Sequence, residues 1–260
     1  MNKIYLLGDL HAQAHHVENL HRRVGLDDTD TVILLGDVGA NFWCDRRDET
    51  FKRMLSKIPG TFFCIRGNHE RRASDVATMP EKRKLWTEEE YFGNKVLVEK
   101  KYPKIKYASD VPALYNIAGY TTLIIPGAFS PDKHYRKKGE TWFENEQCSA
   151  EELAVADELF KNNEIDLVLS HTAPASYEPT DLFFAGFNQA LIDKTMEREL
   201  GHMEYIYDYK VWCWGHYHAF REYRREPVKP SPEDTRLVML FNEEAVELEN
   251  LMNDEKLKTY

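Results

Sequence analysis

Three times between Leu7 and Glu70 a short apolar run ends in glycine and leads at once into residues that bind metal ions or move protons. The segments are Leu7-Gly8-Asp9-Leu10-His11, Leu35-Gly36-Asp37-Val38-Gly39 and Arg66-Gly67-Asn68-His69-Glu70. Histidine takes over later, in Leu169-Ser170-His171 and Trp214-Gly215-His216-Tyr217-His218. In an extended segment, residues two apart point to the same side, so Asp9 with His11, and His216 with His218, can each present two ligands to one centre. Imidazole mixed with carboxylate oxygen suits manganese, iron, zinc or nickel better than calcium or magnesium alone. A carboxylate such as Asp37, placed between two ions roughly 3.5–4 Å apart, is the natural bridge of a two-metal hydrolase.

Such a set needs elements that deliver each ligand to one edge. Residues 4–8, 31–36 and 61–67 read as strands rich in Ile, Leu, Val and Phe, separated by helical stretches at 12–24 and 48–58, a βαβαβ rhythm that implies buried parallel strands. In such sheets ligands bind beyond the carboxyl ends of the strands, and a glycine there lets the backbone turn sharply and approach closely. Short runs at 96–98, 113–117 and 121–125, broken by Pro and Gly, predict antiparallel pairing and a second sheet. A Ser-x-x-Glu capping box at Ser149 and Glu152 opens a helix to residue 162, and strands return at 166–170, 211–214 and 237–241. The Pro-rich stretch 226–232 reads as a surface connection. Residues 1–242 then form one catalytic domain, and 243–260 a charged, solvated C-terminal helix or frayed tail.

With 260 residues, 42% hydrophobic and 30% charged, the chain can bury a large core and keep a solvated surface. No apolar run of membrane-spanning length and no signal-peptide pattern is present, which predicts a cytoplasmic protein without a membrane partner. Four scattered cysteines predict reduced thiols. A net charge of −10 makes extended nucleic acid a poor partner, because phosphate-backbone binding relies on a basic surface. A short or small phosphate ligand stays open, since bound divalent cations reverse the charge locally.

From Gly8 to His218, and in the same motif order, these residues resemble the calcineurin-like metallophosphoesterases. The resemblance implies an α/β fold, a four-layer αββα sandwich with two central mixed sheets. It implies two divalent metal ions per chain, manganese first, with Asp9, His11, Asp37 and His218 on one, Asp37, Asn68, His171 and His216 on the other, and Asp37 bridging. It implies hydrolysis of phosphate esters by a metal-bridging hydroxide, with Asp37, Asn68 and His69 as the catalytic residues. His69 would be free of metal and near the leaving-group oxygen, where an imidazole can donate a proton.

The third motif is similar to that of the protein Ser/Thr phosphatase branch, which makes Arg66 a candidate near the phosphate. The second departs from that branch: Asp37 is followed by Val38-Gly39-Ala40 rather than by the Asp-x-Val-Asp-Arg-Gly continuation, so the acidic partner of the histidine and one arginine are missing from their usual places. The loop 127–147, holding Asp132, Lys133, His134, Tyr135, Arg136, Trp142 and Phe143, follows a strand end, and His134 and Arg136 in it are expected to contact substrate. Its aromatics leave room for an oligomer. His15, His16, His21 and His202 fit no motif, and the basic runs 82–84 and 221–225 read as solvated faces. The favoured substrates are phosphomonoesters, on a phosphoprotein or a small phosphorylated metabolite. A phosphodiesterase acting on cyclic nucleotides, nucleotide conjugates or nucleic-acid ends is the alternative, and a non-catalytic scaffold of the same fold is the competitor from another class.

Overall fold

The structure is a computed structural model that describes residues 2–183, 186, 188–225, 235–253 and 256–260. The first βαβαβ unit forms as the periodicity predicts: β1 (Ile4–Leu7), α1 (His15–Val24), β2 (Thr31–Leu35), α2 (Arg46–Leu55) and β3 (Thr61–Ile65). Helix α1 stops where Gly25 takes φ 69° and donates its N–H back to the His21 carbonyl. There follow α3 (Ala73–Thr78), β4 (Trp86–Tyr91), β5 (Asn94–Glu99), β6 (Ile105–Tyr107), β7 (Ala113–Ile117) and β8 (Tyr120–Ile125). Helix α4 (Ala150–Asn162) opens with the predicted capping box at Ser149 and Glu152. The chain closes with β9 (Leu167–Ser170), α5 (Thr195–Ile206), β10 (Val211–Trp214), β11 (Arg221–Arg224), β12 (Arg236–Met239), β13 (Val246–Glu247) and α6 (Leu248–Met252). The expected Pro-rich connection at 226–232 lies outside the described residues.

The strands make two mixed sheets, ordered β13-β1-β2-β3-β6-β5-β4 and β11-β12-β10-β9-β8-β7, with parallel centres and antiparallel edges. Alternation along each strand decides what faces what. On β2, Ile33 and Leu35 join Phe63, Ile65, Leu167, Leu169 and Cys213 in the core between the sheets. Val32 and Leu34 turn the other way, toward Leu20, Phe51 and Leu55 of the first two helices. On the second sheet, Val168, Trp212 and Trp214 face Leu153, Phe160 and Leu200 of α4 and α5. Both faces of each sheet are therefore apolar and covered, which gives four layers. The parallel centres put the carboxyl ends of β1, β2 and β3 and of β9 and β10 at one edge of the sandwich.

One reading of the sequence changes in part. The end after Asn242 carries a short helix, α6, but is not solvated throughout: Val246 pairs with Leu6 and Glu247 with Tyr5. Ala245, Val246, Leu248 and Leu251 are buried, and Tyr260 packs edge-on against Tyr5. Apolar residues spaced among the Glu and Asn side chains let this segment cover the open edge of β1. The basic run at Arg221 is strand β11, antiparallel to β12, with Arg221 paired to Asp181. Among the described residues no helix is long and apolar enough to cross a membrane.

Candidate metal centre

All seven expected ligands come to this edge. Asp9 and Asp37, in the loops after β1 and β2, are 0% and 1% exposed. The two loops are tied together where His11 N donates to Asp37 O at 2.8 Å and Ala12 N to Val38 O at 3.0 Å. Asp9 accepts from the His216 backbone at 2.9 and 3.1 Å, so a carboxylate of the first sheet anchors a histidine loop of the second. His11, Asp37, His216 and His218 have φ of 45°, 48°, 71° and 54°. Left-handed backbone is uncommon outside glycine and is held in place here by the surrounding loops, as at many binding sites.

Two of the motif glycines are required by how tightly the ligands close in. A Cβ on Gly36, which itself has φ 99°, would lie 2.1 Å from His171 Nδ1. One on Gly67 would lie 2.1 Å from Asp37 Oδ1. His171 is fully buried, and its Nδ1 donates to the Leu35 carbonyl at 2.7 Å. That bond fixes the tautomer and aims Nε2 at Asn68 Oδ1 (3.0 Å), Asp37 Oδ1 (3.4 Å) and Asp9 Oδ1 (3.9 Å). His11 Nε2 and His218 Nε2 face each other at 2.9 Å, and the ring of His216 stands 5.1 Å from that of His171.

Burial drives the charges in this cluster apart. It pushes Asp9 up to about 8, with Asp37 adding to the effect and His171 opposing it. Burial also works against ionised Asp37 and protonated His171, but their mutual attraction wins: Asp37 is held well below the usual carboxylate range, and His171 rises to about 9. Burial lowers His11 and His216, and lowers His218 to about 4 with His11 contributing. Among the described residues neither buried carboxylate has a lysine or arginine partner, and the nearby imidazole nitrogens converge on them. Nitrogen and carboxylate donors packed this closely, with the carboxylates otherwise balanced only by histidine, fit divalent cations. Asp9, His11 and His218 make one such group and Asp9, Asp37 and His171 another.

Of the residues that hold these ligands still, the sequence offered Glu70, within its motif, and gave no sign of Ser130 and Glu146. Glu70 Oε1 accepts from Gly67 N at 3.0 Å and Val38 N at 3.3 Å, clamping the loops after β2 and β3. Asn68 Nδ2 donates to Ser130 Oγ, which donates in turn to Glu146 Oε2 at 2.7 Å, so the Asn68 carbonyl oxygen is left facing His171. Asn68 and Glu70 belong to a recognisable motif, but Ser130 and Glu146 carry no local signal.

The expected substrate contacts divide. Arg136 faces His69, with Nη2 2.6 Å from His69 Nε2, and is held from behind by Asp132 at 2.7 Å. Burial lowers the His69 imidazole, Arg136 adds to that, and Asp37 opposes it. Arg66 does not reach the opening: its guanidinium is buried and donates to the carbonyls of Gly67, Asp110 and Glu146, so it ties three loops together beneath the site. His134 is exposed and does not line the cavity that Asp37, His69 and Arg136 share.

The family model described as calcineurin-like phosphoesterase matches residues 2–220. Among solved structures, TT1561 of Thermus thermophilus is similar at 16% identity and a TM-score of 0.55, over 100% of this chain and 98% of that one. A phosphopantetheinyl hydrolase from Mycobacterium tuberculosis matches at 14% identity and a TM-score of 0.46, over 100% and 95%. The likeness to the first extends to the fold alone. No curated protein matches this chain.

Proposed function

The chain belongs to the calcineurin-like phosphoesterase family, and from that premise we propose that it hydrolyses phosphate esters, monoesters ahead of diesters, at a centre of two divalent ions with manganese the first choice. The observation that carries this reading is the meeting of two buried carboxylates, Asp9 and Asp37, with the imidazoles of His11, His171 and His218 at the strand ends of both sheets. Asp9, His11, Asp37 and His218 would hold one ion, and Asp37, Asn68, His171 and His216 the other. Bound there, the ions would supply Lewis acidity toward phosphate oxygen and acidify water.

The chain's own residues position and protonate. Asn68, oriented by Ser130, keeps its carbonyl oxygen turned inward. Arg136, fixed by Asp132, presents a guanidinium at the mouth of the cluster. A phosphate oxygen is a stronger acceptor than neutral imidazole, so an arriving ester draws Arg136 away from His69. His69 Nε2 is then free to take up a proton from solvent, and the imidazolium so formed can pass that proton to the leaving oxygen, as an alkoxide or phenoxide needs.

The test is the manganese-dependent rate on p-nitrophenyl phosphate and on bis-p-nitrophenyl phosphate, with Asp37→Asn and His69→Ala as controls. Monoester turnover that falls roughly 100-fold or more in both variants is expected. A preference for the diester would replace the monoesterase reading with a phosphodiesterase. Turnover of neither by the manganese-loaded protein would leave a scaffold.

A further inference from the structure

The cavity that opens beside the ligand cluster encloses about 590 Å³, within the usual size of a small-molecule site. Asp37, His69 and His216 are among its lining residues, and a phosphate group needs no more than these. Phe129, Leu182, Phe183 and Ile192 add an apolar wall to the same cavity. Nothing in phosphate chemistry calls for an apolar chamber of this extent continuous with the reacting centre.

One polar group in that wall is unsatisfied. Glu197, on α5, lines the cavity and is only 2% exposed. Its Oε1 accepts from Thr172 Oγ1 at 2.8 Å, while its Oε2 has no hydrogen-bond partner among the described residues. The neighbouring polar groups are committed elsewhere. Lys194 is paired with Glu178, and Tyr217 Oη lies 3.1 Å from both Glu178 Oε1 and Thr172 Oγ1. A buried carboxyl oxygen left without a donor is costly, and although Oε2 has almost no exposed surface, a turn of the carboxyl toward the cavity that Glu197 lines would let a donor on a ligand satisfy it.

We propose that this apolar wall holds the alcohol part of the substrate, and that Glu197 Oε2 accepts a hydrogen bond from a hydroxyl or amine carried on it. The substrate is then a small-molecule phosphate ester with a mainly apolar body and one donor, rather than a phosphoprotein. This rests on the phosphoesterase reading above, and binding is measured separately from turnover so that the two can fail independently.

The probes are methyl-, hexyl- and 6-hydroxyhexylphosphonate, titrated calorimetrically into the manganese-loaded protein, with turnover of the matching phosphates measured alongside. Hexylphosphonate should bind at least about tenfold tighter than methylphosphonate, because added methylenes leave water for the apolar wall. Ile192→Asp should bring that ratio close to one. The hydroxyl should carry no penalty in the wild type, whereas in Glu197→Gln, where an amide N–H can face the ligand's O–H, it should weaken binding roughly tenfold relative to hexylphosphonate. Affinity independent of chain length would overturn the cavity assignment, and so would faster turnover of a phosphoserine peptide than of any alkyl phosphate. An equal hydroxyl penalty in wild type and Glu197→Gln would overturn the role of Glu197. Length-dependent binding with no turnover would sink the hydrolase reading and leave the pocket assignment standing.

Discussion

On the metal side of the cleft every candidate ligand sits within four residues of the end of a buried parallel strand, whereas the opposite side is carried by single-turn helices at Lys133–Tyr135, Thr180–Leu182 and Gln189–Leu191. The metal side is fixed by two sheets, by left-handed residues such as Asp37 and His216, and by contacts so close that a Cβ on Gly67 has no room. The opposite side is fixed by a few ion pairs, such as Arg136 with Asp132 and Lys194 with Glu178. Under the proposed function, reaction chemistry would rest on the rigid part of the fold. Selectivity would rest on segments that can change sequence without disturbing a sheet.

The largest effect should come from adding one methyl group to the rigid side. In Gly67→Ala the new Cβ meets the Asp37 carboxylate and backbone, which must move. If Asp37 bridges two ions as proposed, displacing it by even a fraction of an ångström should lower metal affinity on the order of 100-fold and kcat/KM by roughly 1,000-fold. Metal content after purification and kinetics under saturating manganese would check both; an active, metal-replete Gly67→Ala would mean that the metal side is no stiffer than its counterpart. Next in size is Arg136→Ala on the loop side, which removes the guanidinium facing His69. It should lower kcat/KM roughly 100-fold with metal content unchanged, as expected for a charged donor that acts on substrate oxygen. Loss of metal in this variant would place Arg136 among the supports of the cluster instead.

The same contrast governs what could be read from the sequence. The strand–glycine–ligand pattern is local, so Asp9, Asp37 and Asn68 were legible together with the strands that carry them. The residues that brace Asn68 were not, because Ser130 and Glu146 reach it only through the tertiary fold. Arg66 shows the converse: its place in the motif suggested a phosphate contact, yet three buried carbonyls claim its donors. Strand β4 was missed because Glu88, Glu89 and Glu90 are poor strand formers. It exists as the solvent edge of a hairpin with β5, whose two-residue turn puts Phe92 and Gly93 at φ 53° and 73°. Helix α5 and its Glu197 carry no motif at all, which is why the apolar wall of the cavity emerged only from the structure.

A smaller, graded effect should appear in the pH dependence of stability. Asp9, raised to about 8, contributes stability that is complete below pH 3.8 and is lost as pH rises through 8. His171, raised to about 9, contributes stability that is complete below pH 6.5 and is lost as pH rises through 9. Asp37 and His218, both shifted down, have finished titrating by pH 7 in the folded chain. Between pH 7 and 9 the folded metal-free chain therefore binds more protons than the unfolded one, and its stability falls with rising pH. A Tm loss of about 3 °C or more across that window is expected without metal, and none with saturating manganese, which replaces those protons. A metal-free Tm that rises toward pH 9 would contradict the protonation states drawn for the cluster.

The smallest effect should be that of His134→Ala, and it discriminates because His134 stands two residues from Arg136. Sequence position alone makes them equals: both are polar residues of one loop after a strand end. The structure separates them, since the single turn Lys133–Tyr135 leaves the His134 side chain exposed while the extended backbone at Arg136 sends its guanidinium back to Asp132 and His69. A side chain outside the cavity can act on substrate only through its field, which solvent and salt screen. His134→Ala should thus leave kcat/KM within about twofold of wild type in 0.15 M salt, against the large loss at Arg136. If both variants lose activity alike, the loop closes over bound substrate and brings His134 inward. The loop side would then be a moving part, and its contrast with the metal side would be one of mobility as well as construction.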